Sequence, residues 1–361
     1  MSANYANRLE KVRSNLDKLG LSQMLVSDPM SICWLTGFYV DPGERFHGLV
    51  LRAGADPVLV VNDLFPTPAE LAVATRGYRD EDDPLALVGD LTDHAAPLGC
   101  DKDLAARFLL PLRDAGAASG FVLGSVAVDH ARAIKDAQEQ ELMRQASATN
   151  DKAMAILRGM VREGATERSI ADSLLDVYRS LGAQGHSFPP IVSYGAHAAD
   201  PHHSPDDTPL GPRDVVLFDV GCVQDGYYSD MTRTFFFRDV TEEERLVYET
   251  VRQANEAAAA LVRPGVLFCD VDKAARDVIE QAGYGKYFTH RLGHQIGMCD
   301  HEPGDVGPVH REPMEAGVCH SIEPGIYLPG KFGVRIEDLC IVQENGGEII
   351  NHYSHELDVI A

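Results

Sequence analysis

Two β-rich apolar runs joined by V-Q-D-G make up Val215 to Phe237, VVLFDVGCVQDGYYSDMTRTFFF, a composition that predicts a tight hairpin. With Gln224 and Asp225 at the tip, Asp219 lies directly across from Asp230. With the tip at Asp225-Gly226 the two are diagonal, yet both carboxylates stay on one face because side chains alternate with period two. At about 5 Å and an effective dielectric of about 20, two such charges repel by roughly 3 kcal/mol. Like charges facing across a ladder are disfavoured in any case. Either the strands are half exposed and these are two solvated aspartates, or a cation sits between them.

A second hairpin weighs against the solvated reading. CHSIEPGIY, LPGKFG and VRIEDLCIV lie near the C-terminal end, and a turn centred on Gly330 places Glu323 opposite Glu337. Each hairpin then pairs like charges, and each is unfavourable without a counter-ion. Between them runs THRLGHQIGMCDHEPG, with His290, His294 and His301. A lone histidine is more often structural than a ligand, but four carboxylates completed by one imidazole suit two bridged divalent ions such as Mn²⁺, Co²⁺, Fe²⁺ or Zn²⁺. Asp219 and Glu337 are the candidate bridges. Two ions about 3.5–4 Å apart can share a water, lower its pKa and polarise a carbonyl.

Composition narrows the partners. The net charge of −23, from 32 basic and 55 acidic residues, argues against a nucleic-acid backbone or an anionic membrane surface. MSANYANRLEKVR has no apolar core of signal-peptide length, and no apolar run is long enough to span a membrane, so a cytoplasmic location is expected. The seven cysteines are scattered, odd in number and without a C-x-x-C pair, which argues against a disulfide framework or a thiolate zinc site.

With 361 residues, 45% of them hydrophobic, the chain can build one large or two medium domains. Residues 5–19 read as an amphipathic helix ended by Gly20. Strand-like runs follow (QMLVSD, ICWLTGFYV, HGLVLRAG, PVLVVND, GFVLGSVAV), alternating with turn and helical segments, which predicts a small α/β domain over 1–130. From about 131 to 361 the character changes. Helices at 136–162, 166–181, 241–262 and 269–282 are interleaved with the hairpins, and Thr241 with Glu244 reads as a capping box. This is an α+β pattern and not a doubly wound sheet.

The ordered set Asp219, Asp230, His294, Glu323 and Glu337, in the settings FDVG, SDMTRTF, GHQIG, SIEPGIY and RIED, resembles the dinuclear-metal set of the pita-bread (M24) metallopeptidases, which include methionine aminopeptidase, aminopeptidase P and prolidase. The first half is similar to the creatinase-type N-terminal domain, with CWLTGF in place of a YLTGF-like run, and this points to the Xaa-Pro peptidase branch. The resemblance implies that these five residues bind two divalent metal ions, Mn²⁺ first among them, and that Glu323 also takes a proton from the bridging water. It makes His202 in DPHHSP and His301 the catalytic histidines that contact the substrate carbonyl, with His290 and Arg335 in support. It implies a peptide substrate with proline after the scissile bond, bound near aromatic and histidine side chains, and a homodimer.

This chain departs from the family at Gln295, where G-H-G-x-G usually has glycine, which would narrow the pocket wall or alter packing. Asp305 falls where some archaeal prolidases carry an arginine for the substrate's terminal carboxylate; Arg45 could supply that charge, although a surface arginine without a role is the simpler reading. His203 reads as incidental. Two rivals share the fold: a metal-dependent non-peptidase hydrolase or lyase acting on a small metabolite, and a non-catalytic binding module. Neither G-x-S-x-G, H-E-x-x-H, G-x-x-x-x-G-K nor G-x-G-x-x-G at a helix start occurs in a usable setting.

Overall fold

In the computed structural model, which describes residues 3–361, the chain divides into two units, Met1–Arg132 and Ala133–Ala361. The first carries a six-stranded sheet built from β1 (Gln23–Val26), β2 (Gly48–Arg52), β3 (Val58–Asn62), β4 (Ala74–Tyr78), β5 (Pro97–Cys100) and β6 (Gly120–Leu123), in the order β4-β3-β2-β1-β5-β6. The β1–β2 and β2–β3 pairs are antiparallel; β3–β4, β1–β5 and β5–β6 are parallel. Its helices are α1 (Ala3–Lys18), α2 (Pro29–Thr36), α3 (Pro84–Leu91), α4 (Ala106–Asp114) and α5 (Val126–Ala133).

The run ICWLTGFYV, expected as a strand, lies largely in α2. Asp28 accepts hydrogen bonds from the amides of Met30 and Ser31, Pro29 occupies the first turn, and Gly37 ends the helix in the left-handed region at φ 78°. A short, mostly apolar run shows neither period clearly, so its caps decide the matter. The expected strand GFVLGSVAV is likewise split, between β6 and the start of α5.

The second unit begins with α6 (Ala137–Met160) and α7 (Glu167–Ser180), followed by β7 (Gly185–His186) and β8 (Ile191–Tyr194). The first predicted hairpin is β9 (Val215–Val220), β10 (Cys222–Gln224), β11 (Tyr227–Tyr228) and β12 (Met231–Phe237). After α8 (Glu242–Ala259), capped by Thr241 and Glu244 as the sequence predicts, and α9 (Phe268–Gln281) come β13 (Gly293–Gln295) and β14 (Glu302–Val306). The second hairpin is β15 (Cys319–Ile322), β16 (Gly325–Leu328), β17 (Phe332–Arg335) and β18 (Asp338–Gln343); β19 (Gly346–Ile349) and β20 (Val359–Ile360) complete the chain.

Both faces of the β9–β12 ladder are covered, which explains why β9 is buried along its whole length. Val216, Phe218, Val220, Phe235 and Phe237 belong to a core with Leu157, Leu174 and Tyr178 from α6 and α7. Val215, Leu217 and Phe236, on the other face, belong to a core with Val247, Val251 and Ala275 from α8 and α9. By period two Asp219 shares the face of Val215 and Leu217, so its carboxylate is directed into the interior of the unit, beside the second hairpin.

Candidate metal centre and substrate cavity

Asp225 and Gly226 have φ of 49° and 79° and Gln224 pairs with Tyr227, so the tip is Asp225-Gly226, with positive φ at both central positions as a type I′ turn requires. Asp219 therefore pairs with Thr232. Asp230 is its diagonal neighbour, the second of the two registers allowed by the sequence, and both side chains emerge on one face.

The second hairpin keeps one register on both sides of a break. Cys319 to Ile322 pair with Ile341 to Asp338, and Gly325 to Leu328 pair with Arg335 to Phe332. Glu323 and Glu337 face each other where the ladder is interrupted. Their amides bond elsewhere: Glu323 N–H donates to Leu292 O at 2.8 Å and Glu337 N–H to Thr232 O at 3.1 Å. Glu337 is thereby tied to the first hairpin. Arg233, 1% exposed, holds it there as well, donating to Glu337 O at 2.6 Å and to Asp338 Oδ1 at 2.7 Å.

His294 arrives on β13, which runs beside β15. A Cβ at Gly293 would overlap the Ser321 carbonyl, so the close approach of these strands requires glycine there. Ser321 Oγ accepts from His294 N–H at 3.1 Å and donates to Glu323 Oε1 at 3.1 Å. His294 Nδ1 lies 3.1 Å from Gln295 O, which can only accept, so the ring proton is on Nδ1 and the Nε2 lone pair is free. That Nε2 points at Asp230 Oδ2 at 3.5 Å and Glu323 Oε1 at 3.6 Å. Asp230, His294 and Glu337 each offer a ligand atom, all within 4.8 Å of one another.

Electrostatics state the same need for a cation. Burial, with Glu337 and Asp219 nearby, holds the Asp230 carboxyl well above the usual range, and burial with Glu323 and Asp219 does so for Glu337. Glu323 is pushed up to about 7 by burial, with Arg335 opposing. His294 is lowered to about 3, first by burial and then by His301. Asp219 Oδ1 and Asp230 Oδ1 are buried with no hydrogen-bond partner. Orphaned carboxylate oxygens beside a free imidazole lone pair are a donor set that fits divalent cations.

The supporting positions also converge. Arg335 donates to Asp219 Oδ2 at 2.6 Å, to Thr232 Oγ1 at 2.9 Å and to Tyr327 Oη at 2.9 Å. Tyr327 O–H in turn donates to His290 Nε2 at 2.8 Å, while His290 Nδ1–H donates to Arg291 O at 2.7 Å. All five expected ligand positions, together with His202, His290, His301 and Arg335, line one cavity of about 480 Å³. Its apolar lining is Phe188, Pro189, Pro190, Ile191, Pro201 and Pro205.

Sequence reasoning missed three groups. Asp300 and Arg291 line the same cavity; Asp300 Oδ1 is buried without a partner, and the carboxyl is raised to about 7 by burial and Asp219. Glu167, fully buried at the start of α7, accepts from Tyr194 N–H (2.8 Å), His197 Nδ1 (3.0 Å), His203 Nε2 (2.7 Å) and Asp206 N–H (3.2 Å). His203 is thus an anchor of the loop that carries His202, and not incidental. The tandem histidines of DPHHSP were the available signal, but their buried partner lies far away in sequence.

The two departures resolve locally. Gln295 is buried, its side chain packing over Gly304 away from the cavity, so it alters packing and leaves the wall unchanged. Arg45 forms a two-pronged ion pair with Asp80, at 2.9 and 3.0 Å, within the first unit.

An α+β unit whose two hairpins and intervening strand gather carboxylates and imidazoles around one cavity, preceded by a smaller α/β unit, is the pita-bread peptidase architecture. Residues 141–344 match metallopeptidase family M24 and residues 8–134 match the Creatinase/Prolidase N-terminal domain; the chain belongs to metallopeptidase family M24. It is 34% identical to an uncharacterized peptidase of Staphylococcus haemolyticus, over 96% of this chain and 99% of that one. Among solved structures it is similar to dipeptidase PepE from Mycobacterium ulcerans (36% identity, TM-score 0.93, 99% and 98% of the two chains). It is also similar to a prolidase from Thermococcus sibiricus (31% identity, TM-score 0.93, 100% of each chain).

Proposed function

We propose that this metallopeptidase cleaves the amide bond before proline in dipeptides or short peptides, using two divalent ions held by Asp219, Asp230, His294, Glu323 and Glu337. The observation that carries it is the convergence of these five side chains, two with orphaned buried oxygens, in a cavity whose lining also includes an apolar set of proline, phenylalanine and isoleucine side chains. A bound ion pair would activate a water and polarise the scissile carbonyl. Glu323, which lines the same cavity, is placed to take that water's proton and pass it toward the leaving imino nitrogen. His202 and His301 face the same space and donate to the carbonyl oxygen as it gains charge.

A bond before proline presents no N–H to an enzyme, so recognition has to come from shape. The Phe188, Pro189, Pro190, Ile191, Pro201 and Pro205 lining offers a rigid apolar surface for the ring. The dipeptidase and prolidase names of the structural relatives support the same substrate class. Mn²⁺ belongs to the proposal because four carboxylates and one imidazole favour a hard ion. A cytoplasmic location accords with seven free cysteines, and a homodimer with the family resemblance.

The test is hydrolysis after reconstitution with Mn²⁺, Co²⁺ or Zn²⁺, comparing an Xaa-Pro dipeptide with an Xaa-Pro-Xaa tripeptide. Metal-dependent release of the first residue from either supports the reading; cleavage of neither overturns it.

A further inference from the structure

Three imidazoles of the segment 290–301 stand in two different electrostatic settings. His290 and His294 each direct Nδ1 at a backbone carbonyl, Arg291 O at 2.7 Å and Gln295 O at 3.1 Å, and a carbonyl can only accept. Both rings therefore carry the proton on Nδ1. His301 is the reverse case. Its Nδ1 lies 3.0 Å from Arg291 Nη2, and a guanidinium has donors but no acceptor. The contact exists only with Nδ1 as acceptor, so neutral His301 keeps its proton on Nε2.

The surroundings make this a chosen orientation. His301 stacks on His294 with centroids 3.8 Å apart and planes at 15°, which sets the ring plane but leaves a half-turn flip open. Arg291 closes that choice. The arginine is itself held: Nε lies 3.0 Å from Asp305 Oδ1 and 3.2 Å from Gly293 O. Asp305 pairs in register with His294, so the tether is built on the strand beside that imidazole. On the opposite edge of the ring, Nε2 is 3.7 Å from Asp300 Oδ2, beyond hydrogen-bond reach, and Nε2–H remains available to an oxygen in the cavity.

We propose that Arg291, oriented by Asp305, is a positioning residue that fixes His301 as an Nε2–H donor toward the scissile carbonyl oxygen; this rests on the hydrolase reading above. Asp305 thus has a use in this chain that does not involve the substrate's carboxylate. It aims an arginine at the histidine that meets the carbonyl.

The test is a double-substitution cycle on the metal-loaded enzyme with an Xaa-Pro dipeptide: Arg291→Gln, His301→Gln and the pair, with Arg291→Lys as the conservative variant. Arg291→Gln should lower kcat about 10- to 100-fold, the scale of losing a group that orients a site residue and less than the roughly 10²–10³-fold of removing an oxyanion donor outright, with KM changed less than about threefold. The pair should be no slower than His301→Gln alone, because both act through one ring, and Arg291→Lys should recover most of the loss. Independent, multiplying losses would overturn the inference, as would a change confined to KM, which would make Arg291 a binding group for the substrate. A second readout needs no substrate: ¹⁵N NMR of the histidine rings, with His301 identified through His301→Gln, should show Nε2 protonated and Nδ1 accepting. A proton on Nδ1 would overturn the inference. Absence of any peptide hydrolysis beside the expected NMR result would instead sink the hydrolase reading.

Discussion

Arg335 Nη2 and Asp219 Oδ2 lie 2.6 Å apart, both side chains largely buried, and the same guanidinium reaches Thr232 Oγ1, which donates to Glu337 Oε2 at 2.7 Å. One cation thus orients an expected ligand on each hairpin. Arg335→Lys removes the planar fork while keeping the charge. Divalent-ion affinity should fall about 10- to 100-fold, as with other groups that orient metal ligands, measured by competition with a chelator. Unchanged affinity would remove Arg335 from the metal centre.

Asp230→Asn keeps the shape of the side chain and removes a charge beside His294 Nε2. Metal content should drop from about two ions per chain to one or fewer, and kcat for an Xaa-Pro dipeptide by at least about 10³-fold. Elemental analysis of the same preparation that is assayed decides this. Full metal-dependent activity in the variant would contradict the assignment.

The metal-stripped protein should lose stability as the pH rises from about 6.5 to 8. Glu323 and Asp300 sit at about 7 and Asp230 and Glu337 well above the carboxylate range, burial being the first cause for each. Groups raised above their unfolded values contribute stability that is complete at low pH and lost as pH passes the folded pKa. His290 and His294, lowered to about 3 by burial, act oppositely but only below about 6.5. Stability falls by about 1.4 kcal/mol per pH unit for each proton the folded state holds in excess of the unfolded one, so Tm should fall across this window. Saturating Mn²⁺ should abolish the decline; a flat profile without metal would show that these carboxyls titrate normally.

Glu167→Ala strands two backbone N–H groups and two imidazoles, and should cost about 3–5 kcal/mol. The denaturant midpoint measures it. Because His203 anchors the loop carrying His202, peptidase activity should fall under conditions where the variant is still folded. A loss below about 1 kcal/mol would mean that the loop is held by other contacts.

The two hairpins were legible, and so was which carboxylates share a face, because period-two alternation keeps Asp219 and Asp230 together at either turn position and sets Glu323 opposite Glu337; the tip of the first hairpin stayed open between two positions until the fold placed it at Asp225-Gly226. Helices with polar faces and caps, such as Glu242–Ala259, were legible for a similar reason. The helix Pro29–Thr36 was not, because a short run that is mostly apolar and mostly buried gives too little periodicity for such a reading. Glu167 and Arg291 were hidden for another reason. Their roles depend on partners that only the fold brings near, and an isolated Glu or Arg in a sequence looks like solvated charge.

The interrupted ladder of the second hairpin also limits how this protein can change length. Glu323 and Glu337 meet because the strands on both sides of the gap share one register around the turn at Gly330. Adding or losing a single residue within either arm, 324–328 or 332–336, would slide one strand by a step and turn one of the two acids to the opposite face of the sheet. Drift at this turn is therefore quantised: the segment can lengthen or shorten only by matched pairs of residues, one from each arm, or at the tip itself beyond the last paired position.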